Sequence, residues 1–261
     1  MDLVVERKKA FAYTAAHLLD PRKATLVFVH GAGLDHSTFN LQSRYFGYHG
    51  RNVLALDLPG HGRSDGPPLP GIAAMADWVF KVLESLQIDR FSVVGHSMGS
   101  LVALECAGRQ PARVERIALI GVAYPMKVAE VFLDAASRND YAAYDMETIW
   151  GHAAQVPFSR NPNPGMWMYG DMLARLRRLA PGVLHTDLKA SNDYVSDFAG
   201  VKCPVLVVLG KRDMMTPPPG AQALLEKLSN PTTELVELSG HSLMAEAPDA
   251  TLDALVRFFR D

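Results

Sequence analysis

The chain has 261 residues, 48% of them hydrophobic, and its 26 basic and 28 acidic residues give a net charge of −2. This composition is typical of one main globular domain and lacks the basic surface that nucleic-acid binding requires. Two cysteines do not suggest a disulfide framework, and no apolar run has the length of a signal peptide or a membrane span. We therefore expect a cytoplasmic protein that binds neither nucleic acid nor membrane.

Segments typical of strands and of helices alternate along the chain. Segments near Val4 and Phe11 fit an antiparallel hairpin at a sheet edge. Continuous apolar runs predict buried strands at 25–30, 52–57, 91–95, 116–121 and 205–210. Helical spacing of apolar residues predicts helices at 72–86, 97–109, 218–228 and 251–259. The sequence predicts an α/β fold, a mostly parallel sheet flanked by helices.

One region, from Ala123 to Asn192, contains no run typical of a strand and is rich in Trp, Tyr, Met and Ala. A structureless loop of this length is improbable in a compact domain. We predict an inserted helical cap subdomain at 123–192, and a core domain formed by 1–122 and 193–261.

A serine lies between two glycines in the stretch "GHSMG", where Gly95, Ser97 and Gly99 form the pattern G-x-S-x-G. The pattern follows a predicted strand and precedes a predicted helix, which is the context of a nucleophile held on a tight turn. A turn of small residues without chemistry is the alternative. The position favours a nucleophilic serine.

A serine nucleophile needs a base and a carboxylate that orients the base. His241 follows a glycine after the segment "TELVEL", and Asp213 lies three residues beyond a predicted strand. Both are expected at the sheet edge that carries Ser97. His30 and His61 occupy glycine turns and are interpreted as structural. No His or Cys spacing suggests a metal site.

Glycine-rich main chain at "VHGAG" follows the strand predicted at 25–30. A tetrahedral intermediate needs donors for its oxyanion. We predict that these donors are the amides of Ala32 and of Met98, the residue after the serine.

Five blocks of the sequence resemble the α/β-hydrolase superfamily, in particular its small capped serine hydrolases. The blocks, in the family's order, are "VHGAG", "LDLPGHGRSD", "GHSMGS", "VLGKRDMMTP" and "GHSLMAEAPD". The resemblance implies Ser97 as nucleophile, His241 as base, Asp213 as its orienting acid, and Ala32 and Met98 as amide donors. The "GHSMG" context resembles carboxylesterases most closely, and these use no cofactor.

The expected activity is therefore serine-dependent hydrolysis of a small to medium, uncharged and mainly apolar carboxylic ester. A carbon-carbon bond hydrolase or lactonase of the same fold stays open, as does a ligand-binding receptor with little turnover. In the stretch "MWMY" at 166–169, Trp167 and Met168 are predicted to line the substrate pocket. The sequence leaves open whether the protein is a monomer or a homodimer.

Overall fold

Eight strands form one sheet in the computed structural model of the chain, which describes residues 1–153 and 167–260. The strands are β1 (Asp2–Val5), β2 (Lys8–Tyr13), β3 (Thr25–Val29), β4 (Asn52–Asp57), β5 (Phe91–His96), β6 (Val114–Ile120), β7 (Val205–Gly210) and β8 (Thr232–Val236). Their order is β1-β2-β4-β3-β5-β6-β7-β8. The β1–β2 and β2–β4 pairs are antiparallel and the others parallel, which confirms the edge hairpin and the mostly parallel sheet.

Helices cover both faces of this sheet. They are α1 (Asn40–Tyr48), α2 (Ile72–Ser85), α3 (Met98–Arg109), α4 (Glu130–Ser137), α5 (Tyr141–Trp150), α6 (Met168–Leu176), α7 (Val183–Asp193), α8 (Gln222–Leu225), α9 (Leu243–Glu246) and α10 (Pro248–Phe259). Short 3-10 turns precede α1 at His36–Phe39 and α8 at Pro218–Ala221. None of the described helices combines the length and hydrophobicity that crossing a bilayer requires.

The central strand β3 shows why continuous apolar runs form the sheet. Successive side chains of a strand point to opposite faces. Leu26 and Phe28 pack into the cluster that contains residues of α1 and α10, whereas Val27 and Val29 pack into the cluster that contains residues of α2 and α3. Every residue of β3 is buried, because helices cover both faces.

Helices α4 to α7 lie between β6 and β7, in the region where no strand was expected. Residues 154–166 lie outside the described part of the chain, and these include Met166 of the stretch "MWMY". The division of the chain into a core and a cap subdomain stays a prediction.

The predicted helix boundaries differ from the observed ones, by one residue at the end of α2 and by three at the start of α10. The other two differences have a local cause. The helix expected at 97–109 begins at Met98, because Ser97 has a positive φ that a helix excludes. The helix expected at 218–228 is a 3-10 turn followed by the four residues of α8. Three consecutive prolines, Pro217 to Pro219, account for the late start of α8, since proline lacks the N–H group that an α-helix uses.

Phe28 provides a test of the two-sided core. The side chain is fully buried, with its ring centroid 5.2 Å from that of Phe39 and 6.3 Å from that of Phe46. Phe28→Ala should lower the free energy of unfolding by about 3–5 kcal/mol in urea denaturation, since the cavity cannot collapse between rigid rings. Val4→Ala, at an exposed position, should change it by less than about 0.5 kcal/mol. A loss below about 1 kcal/mol for Phe28→Ala would contradict this description of the core.

Candidate active site

Ser97 occupies a strained turn between β5 and α3. Its φ is 52° and its ψ is −117°, a conformation that costs a non-glycine residue about 1–3 kcal/mol. The flanking residues must be glycine, because a Cβ on Gly95 would overlap the carbonyl of Gly99 and a Cβ on Gly99 would overlap the carbonyl of Val29. This close approach fixes Ser97 at the carboxyl end of β5 and at the amino end of α3.

His241 and Asp213 form a buried hydrogen bond beside this turn. The Nδ1 atom of His241 lies 2.8 Å from Oδ2 of Asp213, and both side chains are almost fully buried. A carboxylate only accepts, so Nδ1 carries the proton and donates it. The Nε2 atom of His241 has no hydrogen-bond partner in the described part of the chain, and in the neutral ring it is the basic nitrogen.

Thr216 completes the surroundings of Asp213. Its hydroxyl donates to Oδ2 of Asp213 at 2.7 Å, and the amides of Met215 and Thr216 each donate to Oδ1 at 2.8 Å. Burial alone would raise the pKa of Asp213, but His241 and these donors lower it to about 2. The carboxylate therefore stays ionised at neutral pH.

The same ion pair that lowers the pKa of Asp213 raises the pKa of His241. Burial disfavours the imidazolium, but the nearby charge of Asp213 and the hydrogen bond to it outweigh burial and raise the pKa of His241 above its usual 6.5. Glu147 and Glu246 add smaller contributions of the same sign. A base with a raised pKa takes up a proton more readily.

Ser97 and the pair share one side of the sheet. Thr216, whose Oγ1 lies 3.1 Å from Nδ1 of His241, lines the same cavity as Ser97. The ring of His96 lies 4.7 Å from that of His241, and its Nε2 donates to the His241 carbonyl at 2.9 Å. The structure thus pairs His241 with Asp213 and places Thr216, which contacts both, on the cavity that contains Ser97, and the catalytic roles of the three residues stay predictions.

The loop that carries Ala32 is held by hydrogen bonds on both sides. The Leu58 amide donates to Nε2 of His30 at 3.1 Å, so Nδ1 of His30 carries the proton and donates to the Gly31 carbonyl at 2.8 Å. Burial is the main reason why the pKa of His30 falls to about 4, so the ring is neutral. His30 has the structural hydrogen bonds that we expected of it.

Ala32 and Met98 both lie next to Ser97 in this arrangement. Ala32 lines the cavity with Ser97, and Met98 is the first residue of α3, so its amide has no partner within the helix. The positive end of the helix dipole also points to this place. The oxyanion role of the two amides stays a prediction that this placement supports.

A second buried pair, His61 with Asp187, connects the glycine turns to α7. Nε2 of His61 lies 2.7 Å from Oδ2 of Asp187, and the Gly33 amide donates to the same oxygen at 2.8 Å. Burial lowers the pKa of His61, but the charge of Asp187 dominates and raises it above 6.5. Asp187 could not be predicted from local sequence, because its partners are 126 and 154 residues away.

The cavity above Ser97 has a volume of about 330 Å³, which suits a small ligand. Helices α4, α5 and α7, the segment 126–129 before α4 and the loop after β7 supply most of its wall. The lining side chains from these elements include Phe132, Glu147, Trp150, Leu188, Met214 and Met215. Most of them are apolar, and Glu147 is the acid among them.

The structure places Trp167 and Met168 away from the cavity that contains Ser97, and their role in substrate binding stays a prediction. Both line a second cavity, of about 440 Å³, together with His96 and Ser242, and neither lines the cavity that contains Ser97. The reason is the direction of α6, since Met168 and residues one and two turns later face the second cavity. Trp167 precedes the helix, is 71% exposed and lies against Gly170.

Among the described residues, Asp35, His36 and Asp57 bring three groups that could bind a metal to within 4.8 Å of one another. These groups already hold the loop together. Oδ1 of Asp57 accepts from the amide and from Nδ1 of His36, at 2.7 and 2.8 Å, and Oδ2 accepts from the Arg63 amide at 2.9 Å. The hydrogen bonds account for the cluster without a metal.

Comparison with known proteins agrees with the resemblance of the motifs. The sequence model described as the alpha/beta hydrolase family matches residues 26–254. The chain is 23% identical over 236 residues to (E)-2-((N-methylformamido)methylene)succinate hydrolase of Acinetobacter baylyi, and the match covers 88% of each chain.

Solved structures show the same fold. The enol-lactonase of Burkholderia xenovorans LB400 superposes with a TM-score of 0.88 at 21% identity and covers 100% of both chains. A thermophilic esterase of Thermogutta terrifontis superposes with a TM-score of 0.83 at 17% identity, covering 100% of this chain and 97% of the esterase. At these identities the likeness shows the fold.

The His61–Asp187 pair predicts a pH-dependent stability difference. The raised pKa of His61 means that its charged form stabilises the fold fully below about pH 6.5, and that this contribution is lost as pH rises through the folded-state pKa. Asp187→Asn should lower the free energy of unfolding by about 3 kcal/mol near pH 6, and by clearly less near pH 9. Urea denaturation at both pH values measures the difference. An equal loss at both values would show that His61 is not charged in the folded protein.

Proposed function

The chain belongs to the alpha/beta hydrolase family, and we propose that it hydrolyses carboxylic esters through an acyl-enzyme on Ser97. One observation carries the proposal. The His241–Asp213 hydrogen bond of 2.8 Å leaves Nε2 of His241 as a buried base without a partner among the described residues. Thr216, which contacts this ring, lines one cavity with Ser97, and Ser97 is raised on a strained turn. Serine nucleophiles require an oriented base of this kind.

Acylation uses each of these groups in turn. The Oγ atom of Ser97 attacks the ester carbonyl while Nε2 of His241 takes the hydroxyl proton, and Asp213 stabilises the imidazolium that forms. The carbonyl oxygen becomes an oxyanion and accepts hydrogen bonds from the Ala32 and Met98 amides. As the intermediate collapses, the bond to the alkoxy oxygen breaks and His241 returns its proton to the leaving alcohol.

Deacylation repeats these steps with water. His241 takes a proton from water, and the resulting hydroxide attacks the acyl carbonyl on Ser97. The bond between the carbonyl and Oγ of Ser97 then breaks, and Oγ regains the proton from His241. The acid is released and the enzyme returns to its starting state, and no step requires a cofactor.

The cavity favours small to medium, mainly apolar substrates. Its wall combines aromatic rings and flexible methionine side chains, which adapt to apolar groups of different shape. Glu147 makes the cavity unfavourable for an anionic group when the carboxyl is ionised.

Two other functions would use the same residues. A lactone is a cyclic ester, so a lactonase needs only a different cavity shape, and a panel of open-chain esters, lactones and diketones separates these substrate classes. A receptor that retains the site would release one equivalent of product and then keep a stable adduct. Steady turnover beyond one equivalent distinguishes the enzyme from the receptor.

Covalent labelling tests the nucleophile. An organophosphate or sulfonyl fluoride should add one group per chain, and peptide mapping should place it on Ser97. Ser97→Ala should abolish labelling and lower ester hydrolysis by about a thousandfold or more. Ser85→Ala, on the exposed side of α2, is the matched control and should keep full activity. A label on another residue, or a fully active Ser97→Ala variant, would refute the assignment.

The pH profile tests the base. Hydrolysis requires neutral His241, so kcat/KM should fall as pH falls through the raised pKa, with its midpoint above about 6.5. Asp213→Asn should lower kcat by about a thousandfold or more, because an amide can stabilise the wrong tautomer of His241. The midpoint of the remaining activity should shift to lower pH.

Asp253→Asn, at an exposed position on α10, controls for a change of overall charge and should leave both the rate and the midpoint unchanged. If Asp213→Asn kept its rate within a few fold of the wild type, a different carboxylate would have to orient His241.

A further inference from the structure

Glu147 is a buried acid that the proposed reaction does not use. It lies on α5, is 4% exposed and lines the cavity that contains Ser97. Its Oε2 atom has no hydrogen-bond partner in the described part of the chain. An unpartnered buried carboxyl is costly, and such groups in native proteins commonly have a functional reason.

A second buried acid, Glu246, shows how this fold accommodates a structural carboxylate. The amide of Ala153 donates to Oε2 of Glu246 at 2.9 Å, and the amides of Gly240 and Ser242 donate to its oxygens at 3.2 Å. Glu246 therefore holds the loop around His241. Glu147 has no comparable set of donors among the described residues, and its side chain lines the cavity, so its carboxyl is available to a bound molecule.

Aromatic rings lie on the same cavity wall as Glu147. The rings of Phe132 and Trp150 meet edge to face with centroids 5.7 Å apart, and both residues line the cavity. Aromatic faces attract cations as well as apolar groups. Lys127 also lines the cavity, but it is solvent-exposed and its Nζ donates to the Asn192 carbonyl at 3.1 Å.

The charge of Glu147 changes in the neutral pH range. Burial raises the pKa of Glu147 to about 7, nearby His241 opposes the rise, and Asp187 on α7 adds to it. Among the described residues, His241 and Asp187 are the charged groups that act on Glu147, and Lys127 lines the same cavity. Ionising the Glu147 carboxyl near neutral pH therefore costs little free energy. A cation with an N–H donor would supply both the opposite charge and the hydrogen bond that this carboxylate lacks.

We propose that Glu147 is a specificity residue, and that the cavity takes an otherwise apolar substrate carrying a protonated amine whose N–H donates to the Glu147 carboxylate. The substrate class rests on the proposed esterase function, whereas binding of the amine does not. The proposal changes the expectation of an uncharged substrate, since the substrate now carries one positive group and is otherwise apolar.

Matched esters test the proposal. The 2-(dimethylamino)ethyl and 3-methylbutyl esters of butyric acid have the same shape and differ in the protonated nitrogen. Ethyl 4-(dimethylamino)butanoate and ethyl 5-methylhexanoate place the same difference on the acyl side. Butyrylcholine carries the charge without an N–H group. The measured quantity is the ratio of kcat/KM between members of a pair, in which the titration of His241 cancels.

In wild type, the amine ester of at least one pair should be preferred over its neutral isostere. The preference should increase by several fold between about pH 6 and about pH 8, as Glu147 ionises while the amine stays protonated. Glu147→Gln should lower the ratio by about tenfold to a hundredfold, the loss expected for a charge-assisted hydrogen bond. Asp145→Asn, an exposed acid on the same helix, should leave it unchanged.

Calorimetric binding of 2-(dimethylamino)ethanol and 3-methylbutan-1-ol separates this proposal from the proposed function. Binding of the amino alcohol that depends on Glu147, without ester turnover, would support the amine site and refute the esterase.

The protein could hydrolyse esters with a kcat/KM ratio, amine ester over neutral isostere, that changes neither with pH nor in Glu147→Gln. That result would refute the amine site and would still support the esterase. If butyrylcholine, which has no N–H group, were preferred over the neutral ester as strongly as the dimethylamino ester is, the proposed hydrogen bond to Glu147 would be refuted. If Glu147→Gln does not fold, the pH dependence of the wild-type ratio decides.

Discussion

The site depends on the close contact of three backbone segments around Gly95 and Gly99. The amino end of α3 lies so close to β3 and β5 that neither glycine has room for a Cβ. This contact forces the residue between them into a positive φ and holds its side chain above the carboxyl ends of the strands. The helix amides, the serine hydroxyl and the loops after β3, β7 and β8 meet there as a consequence.

Three buried carboxylates around this point differ in how they are satisfied. Asp213 has a histidine, a hydroxyl and two amides, and Oδ2 of Asp187 has a histidine and an amide. Glu147 has no such donors among the described residues, and burial holds its pKa near neutrality. Asp213 and Asp187 fix the geometry of their histidines, whereas Glu147 can accept a hydrogen bond from a molecule in the cavity. Catalysis thus depends on a buried carboxylate that protein groups satisfy, and the proposed specificity depends on one that they do not satisfy.

Much of the sheet and the centre of the site could be predicted because their signals are local. Continuous apolar runs mark β3 to β7, and the G-x-S-x-G pattern marks a turn that only small flanking residues permit. Asp213 and His241 follow strand ends, so their position on the sheet edge follows from the topology. The cavity wall could not be predicted in this way, because it depends on how α4 to α7 pack. For this reason neither Glu147 nor Asp187 could be predicted, and Trp167 and Met168 line a cavity other than the one that contains Ser97.

Nitrogen-15 NMR of His241 tests the central claim most directly, namely that Asp213 holds this ring with Nε2 as the base beside Ser97. With the ring labelled and assigned through a His241→Gln spectrum, the account predicts that above the pKa Nδ1 is protonated and Nε2 is not. It also predicts a midpoint of titration above about 6.5. A proton on Nε2 in the neutral ring, or a midpoint below that value, would contradict it.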